Sequence, residues 1–213
     1  MYQVPQITSS IYYVGVNDRM KERFENVWSI PSGVAYNAYL ILDEQTTLID
    51  TVDVCYSDVF FHKLDILLEG RPLDYLIINH MEPDHGGSIG LLRQRYPNLQ
   101  IVGNKKTFEM LRGFHGITTG LHEVKSGDAL RIGKHEFSFL MAPMVHWPEV
   151  MFTYEQTNRV LFSADAFGSF GALSGHILDS HLGDRQAYLE EMIRYYACVI
   201  GKYGPFVKKA LVN

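Results

Sequence analysis

The stretch Leu73-Asp74-Tyr75-Leu76-Ile77-Ile78-Asn79-His80-Met81-Glu82-Pro83-Asp84-His85-Gly86-Gly87 decides how this chain is read. Its first half is an apolar run of strand length, bounded so that it reads as buried. Its second half places four potential metal ligands, His80, Glu82, Asp84 and His85, within six residues. The exit of a buried strand is where α/β proteins place their chemistry. In extended chain the side chains alternate, which puts His80, Glu82 and Asp84 on one face. His85 then needs a tight turn to join them, and Gly86-Gly87 allows one, so a single strand end could serve two neighbouring metals. Ser88 is placed to cap a helix through Leu91 and Leu92. The plainer reading, a salt-bridged loop with chance histidines, would leave four dense polar groups in need of partners.

Outward from this centre, Ile7 to Val14, Val34 to Leu42 and Thr47 to Thr51 alternate as strands, the last with Asp50 near its end. Helical spacing through Phe60, Leu64, Leu67 and Leu68 predicts a helix over 57–68, stopped at Gly70. After the ligand loop come a helix from Ser88 to about Tyr96, a short strand Leu99 to Val102 and a helix Lys105 to Arg112. Residues from about Thr118 to Leu140 read as a β meander, with turns at Ser126-Gly127-Asp128 and Gly133-Lys134. Further strands follow at 151–154 and 160–163, then a helix over 186–200 with Leu189, Ile193, Tyr196 and Ile200 as its apolar positions. No repeat, linker or low-complexity segment interrupts the 213 residues, a length suited to one domain. This order predicts two sheets packed between helices.

Two more ligand types stand at strand ends: His146 in Ala142-Pro143-Met144-Val145-His146-Trp147-Pro148, and Asp165 after Val160-Leu161-Phe162-Ser163. Alone, such a His reads as a hydrogen-bonded core residue and such an Asp as a turn or cap. Beside the dense cluster, three strand ends converging on one metal site is the stronger reading. Asp50 is a candidate acid to orient His80 or His85 through the second imidazole nitrogen. Trp147 and Tyr195 either line the pocket over the metals or pack in the core. No Ser-His-Asp or Cys-His nucleophile array is evident.

The ligand run resembles the metallo-β-lactamase signature His-x-His-x-Asp-His with its second histidine replaced by Glu82, and in that respect it is similar to the flavodiiron proteins. The segment Asp165-Ala166-Phe167-Gly168 also fits that family, as do Pro31-Ser32-Gly33, Asn37-Ala38-Tyr39-Leu40 and Leu48-Ile49-Asp50-Thr51. The resemblance implies an α/β (α+β) metallo-β-lactamase-like αββα sandwich over residues 1–213. It implies two Fe ions, one held by His80, Glu82 and His146 and the other by Asp84 and His85, with Asp165 bridging. It implies reaction with O2 or NO and a homodimer. The flavodoxin domain that binds FMN in the family is absent from this sequence, so no FMN is expected in this chain. Electrons would then come from a separate electron-transfer protein, or the centre would serve as an oxygen sensor or binder acting on a signalling protein. In domain content the oxygen-binding diiron proteins of anaerobes are the most similar. The family pattern continues to a further strand and a last histidine ligand, which this sequence does not reach. His176 and His181, in the loop after Asp165, are the candidates to replace it. A dinuclear metal-dependent hydrolase of the same fold is the alternative, and Glu82 argues against it.

Composition removes other classes. With 19 basic and 24 acidic side chains the net charge is −5, and no Lys/Arg block stands out, so neither a nucleic-acid nor an anionic-membrane partner is expected. Cys55 and Cys198 form no CxxC pair or disulfide framework, which suits a reducing cytoplasm. No signal peptide is read at the N-terminus, and no apolar run approaches the roughly 20 residues of a membrane span.

Replacing an imidazole by a carboxylate at position 82 adds a hard anionic oxygen, which favours iron or manganese over zinc. Protein made under iron-replete conditions should therefore carry iron, and Glu82→His should shift its preference towards zinc. Elemental analysis that finds only zinc in both proteins contradicts this.

Overall fold

In the computed structural model, residues 4–212 are described. The chain opens with β1 (Ile11–Tyr13), β2 (Val16–Asp18), β3 (Arg23–Phe24), β4 (Trp28–Ser29), β5 (Val34–Tyr36), β6 (Tyr39–Ile41) and β7 (Thr47–Ile49). Helix α1 (Ser57–Leu68) leads to β8 (Tyr75–Ile77), the short α2 (Pro83–Gly86), α3 (Ile89–Arg95), β9 (Gln100–Gly103), α4 (Lys105–His115) and β10 (Leu121–Glu123). Then follow β11 (Ala129–Arg131), β12 (Glu136–Met141), β13 (Met151–Glu155), β14 (Val160–Phe162), α5 (Arg185–Tyr195) and α6 (Gly204–Ala210).

One sheet has the order β1-β6-β7-β8-β9-β10, antiparallel through β7 and parallel beyond it. The second, β11-β12-β13-β14, is antiparallel throughout. Strand alternation makes the layers. Ile49, Ile77 and Val102 face Phe137, Phe139, Met151 and Phe162 in the core between the sheets. Their neighbours Leu48, Leu76, Ile78 and Ile101 face the other way, against Phe60, Leu64, Ile89, Leu92 and Leu111 of α1, α3 and α4. Phe152 on the second sheet belongs to the same cluster as Tyr195, Val199, Ile200 and Val207 at the C-terminal helices. The expected αββα sandwich is the fold.

Three expectations are corrected. The predicted meander is divided: β10 pairs parallel with β9 in the first sheet, with Leu121 opposite Ile101, and only β11 and β12 join the second. The intervening α4 makes β9-α4-β10 a crossover unit, which demands parallel pairing. The late helix does not run unbroken over 186–200; α5 ends at Tyr195 and passes into a π-helical turn, Tyr196–Ile200. Its buried face also differs, since Leu189, Ile193 and Tyr196 are exposed while Tyr195, Val199 and Ile200 are buried. Two apolar rows share this helix, and Tyr195 selects the inner one by packing edge-on against Phe24 and Phe170, at ring separations of 6.2 and 5.0 Å. Ser88, finally, makes no side-chain cap; its hydroxyl is buried and donates to the Val52 carbonyl at 2.9 Å.

Asn79 ties the sheets together below the ligand loop. Its side-chain oxygen accepts from Thr153 Oγ1 at 2.7 Å, and its carbonyl accepts from the Met151 amide at 3.1 Å. Among the described residues no helix is long and apolar enough to cross a membrane. Ile77 is fully buried between the sheets, so Ile77→Ala should cost about 2–5 kcal/mol of stability, read as a lower urea midpoint at unchanged slope. A midpoint equal to that of the wild type would contradict this packing.

Candidate metal centre

Four strand ends meet at one spot: β7 supplies Asp50, β8 the run from His80, the loop after β12 His146, and the turn after β14 Asp165. The local path from His80 to His85 is not extended. Glu82 is the N-cap of α2, Pro83 occupies the first helical turn, and Asp84 and His85 are helical. One helical turn therefore aims Asp84 and His85 where strand alternation alone would separate them. Glycine is needed at 87 for closeness and not for a left-handed turn, since a Cβ there would meet Pro83 O at 2.5 Å and Val54 N at 2.9 Å. The His85 carbonyl is clamped by Thr51, accepting from its amide at 2.8 Å and its hydroxyl at 2.6 Å.

His80, Glu82, His146 and Asp165 each bring one donor atom within 4.8 Å of the others, and all four are buried. Glu82 Oε2 lies 3.3 Å from His80 Nε2 and 3.1 Å from His146 Nε2. Asp165 reaches both sides of the cluster: Oδ2 is 3.2 Å from His146 Nε2, and Oδ1 is 2.7 Å from His85 Nε2. Asp84 Oδ2 is 3.9 Å from the same His85 nitrogen, and its other oxygen is buried without a partner. Three imidazoles and three carboxylates thus face one another in a buried space.

The electrostatics follow from that packing. Burial would lower the His80 and His146 pKa values, but Glu149 and Glu82 hold the first up to about 9, and Asp165 and Glu82 hold the second up to about 10. His85 is raised well above its ordinary value against burial, by Asp165 and Asp84. Asp165 is held well below the usual carboxylate range, its burial outweighed by His85 and His146. Glu82 is likewise held down to about 2, its burial outweighed by His146 and His80. Asp84 goes the other way, pushed up to about 6 by burial. Without a cation, protons on the imidazoles balance the carboxylates; a bound metal would replace them. The donor set of His80, Glu82, His146 and Asp165 is one that could hold a metal ion, and His85 and Asp84 stand beside it.

Sequence reasoning missed Glu149. It is buried, and its Oε1 accepts from His80 Nδ1 at 2.8 Å and from the Met81 amide at 2.9 Å. That bond turns the lone pair of His80 Nε2 into the cluster. The only hint was an acid close behind a ligand in His146-Trp147-Pro148-Glu149. Asp50, expected to orient a histidine ring, instead binds backbone, accepting from the Asn79 amide at 2.7 Å and the His80 amide at 3.4 Å. Its distance to His85 Nδ1, 3.9 Å, exceeds a hydrogen bond. Tyr195 is brought to the site: it is buried, and its pKa is raised well above normal by burial and then by the Asp165, Asp84 and Glu82 carboxylates. Trp147 stands edge-on to the His80 ring at 5.2 Å. His176 and His181 are exposed, pack edge-on against each other at 5.4 Å and do not join the cluster.

Fold and site together define a metallo-β-lactamase-like domain with a metal-competent centre at its strand ends. Residues 34–201 match the family model described as ODP family beta lactamase, and the chain belongs to that family. It is 33% identical to a nitric oxide reductase of Moorella thermoacetica, over 99% of this chain and 53% of that protein. Among solved structures, the flavodiiron protein of Giardia intestinalis superposes with a TM-score of 0.94 at 28% identity, covering 99% of this chain and 51% of that one. The rubredoxin oxygen:oxidoreductase of Desulfovibrio gigas gives 0.92 at 31% identity, covering 98% and 52%. The chain spans about half the length of these relatives.

Because Glu149 fixes His80, Glu149→Gln should weaken metal affinity about 10–100-fold while every first ligand remains. Competition with a chromophoric chelator measures it, and unchanged affinity would contradict the role. A second expectation comes from the raised imidazole pKa values. A metal must displace the protons that those raised values hold on the imidazoles, so loading the site near neutral pH should release protons in weakly buffered solution. Metal uptake without acidification would contradict that charge balance.

Proposed function

We propose that this protein holds a diiron centre that binds dioxygen or nitric oxide. The observation that carries the reading is Glu82, a carboxylate within a buried set of three imidazoles and three carboxylates. Such a set is harder and more anionic than a zinc hydrolase site, and it favours iron. In this reading His80, Glu82 and His146 hold one iron, Asp84 and His85 the other, and Asp165 bridges them. Iron bound there would supply electrons to a diatomic ligand.

The remaining residues position and protect. Tyr195 stays protonated beside the Asp165, Asp84 and Glu82 carboxylates, a neutral phenol next to the bridging group. Trp147 packs against the His80 ring and helps exclude water. Glu25 and Asn26, at the tip of the β3–β4 hairpin, line a cavity of about 150 Å³ that also touches Glu82 and Asp84, space for a small molecule and little more. No phosphate-cradling loop for FMN is read within these residues, so electrons would arrive from another domain or from a separate protein. The same reading covers a homodimer and a cytoplasmic setting. It supports action either as a partner-reduced oxygen or nitric oxide reductase, or as an oxygen sensor.

The test uses full-length protein loaded with ferrous iron without air, then mixed with O2 or with NO in a stopped-flow spectrometer. An absorption change saturating with one gas, absent in the zinc-loaded form and in His146→Ala, is expected. Iron-loaded protein that responds to neither gas would overturn the proposal, as would zinc-loaded protein that hydrolyses ester or lactam substrates.

A further inference from the structure

Helix α1 buries a lysine on its inner face. Lys63 is 9% exposed, between Phe60 and Leu64 on the side that packs into the core. Its ammonium donates to the Gly15 carbonyl and lies 5.7 Å from the centroid of the Tyr13 ring. An ammonium has three donors, and the one carbonyl satisfies one of them. Among the described residues no carboxylate pairs with it, and burial alone lowers its pKa. A buried cation without a counter-charge is unfavourable, and proteins normally provide a partner.

The space beside Lys63 shows what kind of partner fits. A cavity of about 340 Å³ is lined by Lys63, Tyr13, Asn17 and His176, with Leu173 and Ile177 as apolar wall and no carboxylate. That size falls in the range of small-ligand pockets, roughly 300–1,000 Å³. Asn17 accepts from the Leu173 amide through Oδ1 at 2.6 Å, and among the described residues its Nδ2 donor end makes no hydrogen bond. The cavity is separate from the metal-competent cluster, with which it shares no residue. It does share Tyr13, Leu173 and Ile177 with a second cavity that reaches Asp50 and His85.

We propose that this cavity binds a small organic anion, its carboxylate or phosphate group taking the Lys63 ammonium and the Asn17 amide, its body lying against Leu173, Ile177 and Tyr13. The anion supplies the counter-charge that the fold omits.

The test is titration calorimetry on the full metal-loaded protein at low salt, with benzoate, phenyl phosphate and inorganic phosphate as probes. Benzoate or phenyl phosphate should bind, and whichever binds more tightly names the head group. Lys63→Met should weaken that probe at least about tenfold. Asn17→Asp adds a carboxylate to the cavity wall that Lys63 shares, so it should abolish binding while keeping or raising the melting temperature. If Lys63→Met fails to fold, Asn17→Asp alone decides the matter. Absence of binding by both organic probes overturns the proposal, as does equal binding to wild type and Asn17→Asp. Inorganic phosphate binding as tightly as phenyl phosphate overturns the part assigned to the apolar wall.

Discussion

The structure depends on one electrostatic constraint: three carboxylates and three imidazoles are buried together where four strands end. Neither set could be buried alone, because each would leave uncompensated charge or unpaired polar atoms in the interior. Together they balance, and a metal bound there would take the place of the protons. The fold serves this constraint by bringing the ends of β7, β8, β12 and β14 to a common rim, with Asn79 joining the two sheets just beneath it.

Positioning is divided between strand ends and one turn of helix. β8 delivers His80, and α2 redirects the chain so that Asp84 and His85 approach Asp165 from the other side. Asp165 touches His146 with one oxygen and His85 with the other, so a single residue couples the two halves of the site. Outer contacts fix the inner ones: Glu149 sets the His80 ring, and Thr51 clamps the backbone of His85. Glu149 is itself held in place where Asn104, the N-cap of α4, donates to its carbonyl at 2.6 Å.

The inner residues were legible in the sequence because they are crowded and stand at the ends of apolar runs. The sandwich was legible because Leu48-Ile49 and Leu76-Ile77-Ile78 are apolar on both faces, as only a covered sheet requires. What escaped was whatever depends on a distant partner. Glu149 is an ordinary acid until the fold brings it to His80, 69 residues away. Lys63 looks like a solvated helix lysine, since nothing in its local pattern distinguishes it from one facing water. Leu121-His122-Glu123 has two exposed side chains in three, too weak an alternation to show which sheet it joins. The inner face of α5 is ambiguous in sequence because two apolar rows compete there and a tertiary aromatic cluster decides between them.

In the proposed diiron centre Asp165 joins the two irons. Mössbauer spectroscopy of protein loaded with isotopically enriched ferrous iron and then oxidised tests it most directly. The account predicts a magnetically coupled pair that Asp165→Ala converts to isolated or missing iron. A single uncoupled iron, or a coupled pair that survives Asp165→Ala unchanged, would contradict it.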